Sequence, residues 1–78
     1  MKLEIETICN RKAVIVYTGT ERILFSYDTR IATINAKGEL IRNCEEWALS
    51  NTTMRHLHQF APYISKKDFL KLELKEAI

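Results

Sequence analysis

Seventy-eight residues, 46% of them hydrophobic and 28% charged, with two glycines and one proline, exclude both a multidomain assembly and a disordered tail. Twelve basic and ten acidic residues give a net charge of +2 and are mixed along the chain, which excludes a strongly acidic nucleic-acid mimic. The start Met1-Lys2-Leu3-Glu4-Ile5-Glu6 is charged at every second residue and no run approaches the length of a membrane helix, so a soluble, cytoplasmic protein is expected, with no membrane partner.

Residues 2–9 alternate Leu3 and Ile5 against Glu4 and Glu6, the pattern of a strand with one wet face. Asn10, Arg11 and Lys12 form a polar break of hairpin length. Residues 13–18 are β-branched, aromatic and nearly continuous in hydrophobicity, which predicts a central strand covered on both faces. Gly19 and Thr20 turn the chain into a third strand, 22–27, with Leu24 and Ser26 on one face and the greasier set Ile23, Phe25 and Tyr27 on the other. Asp28, Thr29 and Arg30 read as a second polar turn. Strands over 31–35 and 39–44 flank Ala36-Lys37-Gly38, a hairpin whose glycine supplies positive φ. Glu45 and Glu46 then interrupt the apolar pattern as a bulge, a bend or a break. Trp47 and Leu49 are two apart, so a strand there puts both on one face.

The polar run from Ser50 to Thr53 offers helix caps, and a helix starting near Asn51 or Thr52 sets Met54, Leu57, Ala61 and Ile64 on one side, with Phe60 at its edge. Arg55 and Gln59 point away from that side, His56 lies nearer the solvent, and His58 sits on the flank. Pro62 stops or bends the helix at Ala61. Ser65 with Asp68 three residues on matches a capping box for a second helix. Behind it, Phe69, Leu70, Leu74, Ala77 and Ile78 fit one helical side while residues 70–75 also alternate as a strand; the cap and the Lys, Leu and Glu content favour helix.

His56 and His58 are two apart, roughly 160° around a helix from each other, so they cannot share a metal as an i, i+4 pair would. The hydroxyls Ser50, Thr52 and Thr53 beside a histidine evoke a nucleophile and its base, but they are accounted for as caps on the unsatisfied amides of a helix start. With no glycine-rich phosphate loop, no cysteine pair at metal spacing and no recognisable pair of carboxylates, neither an enzyme nor a cofactor or metal site is expected. Cys9 and Cys44 fall in different strands, and two cysteines without a secretory signal are expected as buried, reduced thiols. Lys67, Lys71 and Lys75 are four apart and form a basic stripe if the last segment is helical, which with Arg55, His56, Lys66 and Tyr63 makes a nucleic-acid surface the second reading.

Trp47-x-x-Ser50-x-Thr52-Thr53-x-Arg55-His56-Leu57-x-x-Phe60, preceded by Ser26-Tyr27-Asp28-Thr29-x-Ile31-Ala32 and the Lys37-Gly38 hairpin, resembles a family of small uncharacterised phage and prophage proteins of Gram-positive bacteria. The resemblance spans residues 26–68 and implies an extended region, this helix, and then a Ser-Lys-Lys-acidic second helix, which Ser65-Lys66-Lys67-Asp68 resembles. Pro62 departs from it, standing where such proteins continue into an apolar helix end. That family has no agreed activity, so phage origin and a small fold are what the resemblance implies.

The expected architecture is one α+β domain: an antiparallel sheet of about four or five strands, with a helix over 52–61 on one face and a C-terminal helix beside it. Trp47, Leu57 and Phe60 are core candidates. The expected function is a non-enzymatic phage protein that binds and alters a host protein or protein–nucleic acid complex, such as a CRISPR effector, through Arg55, His56, Gln59, Lys67 and Lys71. A third reading is a homodimer built on an exposed strand edge or on the apolar C-terminal segment, since ordering so short a chain costs on the order of 100 kcal/mol, which a core of this size only just offsets.

Overall fold

A computed structural model describes residues 4–8 and 12–75. Five strands, β1 (Glu4–Ile8), β2 (Ala13–Tyr17), β3 (Arg22–Ser26), β4 (Thr29–Ile34) and β5 (Leu40–Arg42), form one antiparallel sheet in the order of the sequence. A 3-10 turn (Glu46–Ala48) leads into α1 (Asn51–Phe60), and α2 (Lys66–Leu70) follows. The expected α+β architecture is what the chain adopts. The three hairpins from β2 to β5 are set by their turn chemistry. Gly19 and Gly38 hold φ of 99° and 83°, where a side chain would be strained. Between β3 and β4 the turn residues are Tyr27 and Asp28, both with positive φ (48° and 69°), the signature of a two-residue hairpin whose twist matches its strands. Strand β4 therefore starts at Thr29, and Thr29 and Arg30, expected in the turn, belong to it.

The core lies between the sheet and α1. Ala13, Ile15, Leu24, Ala32 and Ile34 supply one layer, and Met54, Leu57, Phe60 and Ala61 the other, closed off by Leu49, Cys44 and Phe69. A bulge between Leu24 and Phe25 on the β3–β4 ladder inserts Ile31 as an extra residue, so that Leu24 faces Ala32 while Phe25 faces Arg30. The insertion lets Ile31 and Ala32, adjacent in sequence, both be fully buried.

Helix α1 covers the Leu24/Ser26 side of β3, the less apolar of its two faces. What makes this face coverable is Ser26, whose hydroxyl finds partners on the helix. Ile23 is buried yet stands outside the core cluster, and Val14 and Val16 are only half-buried, so β2 is covered by a layer on one face and not on both as expected.

Ser50 caps α1 by accepting from the Thr53 amide, and the helix ends at Phe60, one residue before Ala61 and two before Pro62, as the proline predicts. Leu57 and Phe60 are buried while Arg55 and Gln59 are exposed, the orientation expected from the apolar period. Three readings are corrected. Trp47 is on the 3-10 turn, not a strand, and is 83% exposed, whereas Leu49 is buried, so the two share no face. His56 is 1% exposed, on the core side of α1 and not toward solvent.

The third concerns the C-terminal segment. Ser65 caps α2 through the Asp68 amide as the capping box predicts, but the helix has only five residues. The chain then runs extended, Leu74 bridging in parallel to Arg42 and the Lys75 amide donating to the Arg42 carbonyl. Arg42 explains the stop: its Nη1 donates to the carbonyls of Leu70 and Leu72, groups a longer helix would have paired internally, while its Nε donates to that of Cys44. Phe69, Leu70 and Leu74 thus do not share one helical side, and the stripe Lys67, Lys71 and Lys75 is cut after Lys71. Leu3, Cys9, Asn10, Arg11, Ala77 and Ile78 lie outside the described residues.

Candidate functional site

Ser26 points inward from β3 and Thr53 and His56, one turn apart on α1, point down onto it. The Ser26 hydroxyl lies 2.7 Å from His56 Nδ1 and 3.1 Å from Thr53 Oγ1, and Ser50 Oγ donates to Thr53 Oγ1 at 3.2 Å. In the tautomer with the imidazole proton on Nε2, the donors run Ser50 to Thr53 to Ser26 to His56 Nδ1, each hydroxyl donating once. The Tyr27 ring lies over the imidazole, centroids 5.7 Å apart and tilted by 46°. A serine–histidine pair at this distance has the geometry of a nucleophile and base, but both side chains are sealed between sheet and helix where no substrate reaches. Chemically the arrangement is a polar clasp of helix to sheet. Thr53 is a member of it and not a free cap, and Ser50 carries the capping expected of the hydroxyl cluster.

Burial, reinforced by the Lys12 charge, holds His56 below the ordinary histidine value. A histidine whose folded-state pKa is depressed leaves stability intact above the unfolded value of about 6.5 and withdraws it as pH falls from there through the folded value. Thermal unfolding between pH 7.5 and 5 is therefore expected to show a falling melting temperature, with a shallower slope in His56→Asn. Equal slopes in the two proteins would mean that His56 titrates alike in both states.

Just ahead of α1, Trp47 stands out of the surface above a shallow cleft of about 160 Å³ that it lines with Thr29, Asn43, Cys44, Glu45, Ala48 and Leu74. The turn Glu46–Ala48 closes on itself through the Ala48 and Leu49 amides, which leaves the indole outside while Leu49 goes in. Cys44 is a buried free thiol, and burial raises its pKa, so it is poorly nucleophilic.

Of the residues expected to meet a partner, Arg55 and Gln59 are exposed and one turn apart on α1. Lys67 and Lys71 are exposed on α2 and just after it, Lys71 lying 4.0 Å from Asp68 in a solvent-screened pair. His56 is withdrawn from this set by its burial. Trp47 takes its place as a surface group that periodicity assigned to the core; the signal against burial was the adjoining Glu45 and Glu46. Among the described residues no group of three or more His, Cys, Asp or Glu gathers as a metal site requires, and no helix is long and apolar enough to cross a membrane.

A family model described as a family of unknown function (DUF8033) matches residues 1–74. The match takes in the first two strands, which lie outside the residues carrying the phage-protein resemblance. No curated protein and no solved structure matches the chain.

Proposed function

We propose that this chain, which belongs to the DUF8033 family of unknown function, acts by binding a macromolecular partner and not by turning over a substrate. The observation that carries the reading is Trp47, the chain's one tryptophan, held 83% exposed by a closed backbone turn at the rim of a cleft. Solvating an indole forgoes one of the largest apolar gains a small core can have, and tryptophan and arginine are the side chains that most often anchor protein interfaces. Arg55 and Gln59, a few residues on, add directional donors on the outer side of α1. The narrower form of the proposal is a phage-encoded protein that alters a host macromolecule, such as a CRISPR effector; it is supported by the resemblance of the Trp47-to-Phe60 motif, which itself contains Trp47 and Arg55.

Retention of host-lysate proteins on the immobilised chain, read by mass spectrometry, tests this. Wild type is expected to retain a discrete partner and Trp47→Ala to lose it by roughly tenfold or more. Stability of Trp47→Ala is expected to stay within about 0.5 kcal/mol of wild type, since the side chain is on the surface. Undiminished retention by both Trp47→Ala and Arg55→Ala would defeat the assignment, and binding of DNA or RNA that collapses with salt would move the function to nucleic acid.

A further inference from the structure

The sheet face turned away from α1 carries two cross-strand rows. One crosses all five strands as Ile5, Val16, Ile23, Thr33 and Ile41, each paired with the next. The other runs Thr7, Val14, Phe25 and Arg30. Antiparallel sheets with one solvated face normally alternate to polar residues there. Here, six of these nine positions are aliphatic or aromatic and one is charged. That charge is already engaged within the chain, Arg30 donating to Thr33 Oγ1 at 2.9 Å and to Asn43 Oδ1 at 3.4 Å. Among the described residues no helix or strand lies over the face: Ile5 is 67% exposed and Val14, Val16, Phe25 and Ile41 are half-buried, while Ile23 and Thr33 at its centre are buried.

We propose that this face is the interface of a homodimer, in which two sheets stack through the Ile5-to-Ile41 rows into a four-layer helix–sheet–sheet–helix particle. Three observations select a second copy over other occupants. The rows hold no acidic side chain, and their one cation, Arg30, is hydrogen-bonded to Thr33 and Asn43 of its own chain, so the face offers little to a charged ligand and fits a flat, mostly apolar surface like itself. Five strands about 4.8 Å apart and about 17 Å long give a patch on the order of 400 Å², and two such patches with their rims bury on the order of 1,000 Å², the lower bound of a specific interface. A cleft of about 520 Å³ at one end, lined by Val14, Phe25 and Tyr27 with Lys12 and Asp28 also in its wall, leaves room for a partner's side chains. Association by the alternative route, edge to edge through β1, is opposed by its own sequence: the register that pairs the whole strand sets Glu6 against Glu6 of the other copy, and a slip of two residues one way sets Glu6 against Glu4.

The patch sits at the small end of the range, so the dimer is expected to dissociate on the order of 10–100 µM. Sedimentation velocity from about 5 to 500 µM should show a shift from one to two chain masses at concentrations spanning that constant. Ile5→Lys, at an exposed position, should abolish the shift and leave the melting temperature of the dilute protein unchanged; Val16→Lys should do the same where it folds. Glu6→Gln and Trp47→Ala should leave the shift intact, which separates this interface from the β1 edge and from the partner surface proposed above. A monomer at every concentration, a dimer that survives Ile5→Lys, a dimer strengthened by Glu6→Gln, or a monomer whose face instead binds lipid vesicles or another protein in an Ile5→Lys-sensitive way would each overturn the proposal.

Discussion

Phe69→Ala should be the most damaging single substitution in the C-terminal third, lowering stability by about 3–5 kcal/mol. The ring comes from a helix of five residues, far too short to persist on its own, yet it is completely buried in the cluster formed by the sheet and α1. Helix α2 is therefore held by this one anchor, by the Ser65 cap, and by Arg42 reaching to the carbonyls of Leu70 and Leu72. A domain of this size has about 4–12 kcal/mol in total, so the loss would bring the chain close to unfolding at room temperature. Urea unfolding followed by circular dichroism measures it, with Leu70→Ala, a half-buried neighbour, expected to cost clearly less. A loss below about 1 kcal/mol would show that α2 does not close the core.

Ser26→Ala should cost about 1–3 kcal/mol, out of proportion to the removal of one oxygen. The deletion strips His56 Nδ1 and Thr53 Oγ1 of a shared partner in a site closed to water, and an unpaired buried acceptor bears its whole desolvation penalty. The double replacement Ser26→Ala with His56→Leu should recover part of the loss, because it removes the acceptor together with its donor. A double-mutant cycle in which the two effects simply add would show that the hydroxyl and imidazole are not coupled.

The strand pattern was legible because alternation is a strong signal where one face is buried: β1, β2 and β3 fall within the expected stretches, and Gly19 and Gly38 mark two of the turns. The third turn was misplaced because Tyr27 and Asp28 are not the residues that usually adopt left-handed geometry, and a bulky tyrosine there is uncommon. Helix α1 was legible in extent from its polar cap and Pro62, and its buried side from Met54, Leu57 and Phe60, but the inward turn of His56 was not. A histidine reads as polar, and only the inward Ser26 beneath it makes burial acceptable. That signal was in fact present, since Ser26 shares a face with Leu24 and a hydroxyl on an inward face must find a partner. Trp47 was misread for a different reason. A two-residue spacing from Leu49 is compatible with a strand and equally with a tight 3-10 turn, and side-chain size alone argued for the interior. The C-terminal segment carried both a helix cap and an extended alternation, and the fold uses them in succession.

The bulge at Ile31 makes β4 two reading frames spliced at a single point. Upstream of the splice Arg30 is indexed to Phe25, and downstream Ala32 is indexed to Leu24. Loss of Ile31 would leave both pairings in step, removing one interior side chain and nothing of the sheet's order. Loss of Ala32 would be absorbed in the same way, Ile31 then standing opposite Leu24, whereas an inserted residue downstream would reverse inside and outside for a run of neighbours. The loss of one residue at this splice is therefore taken up locally and does not propagate along the strand.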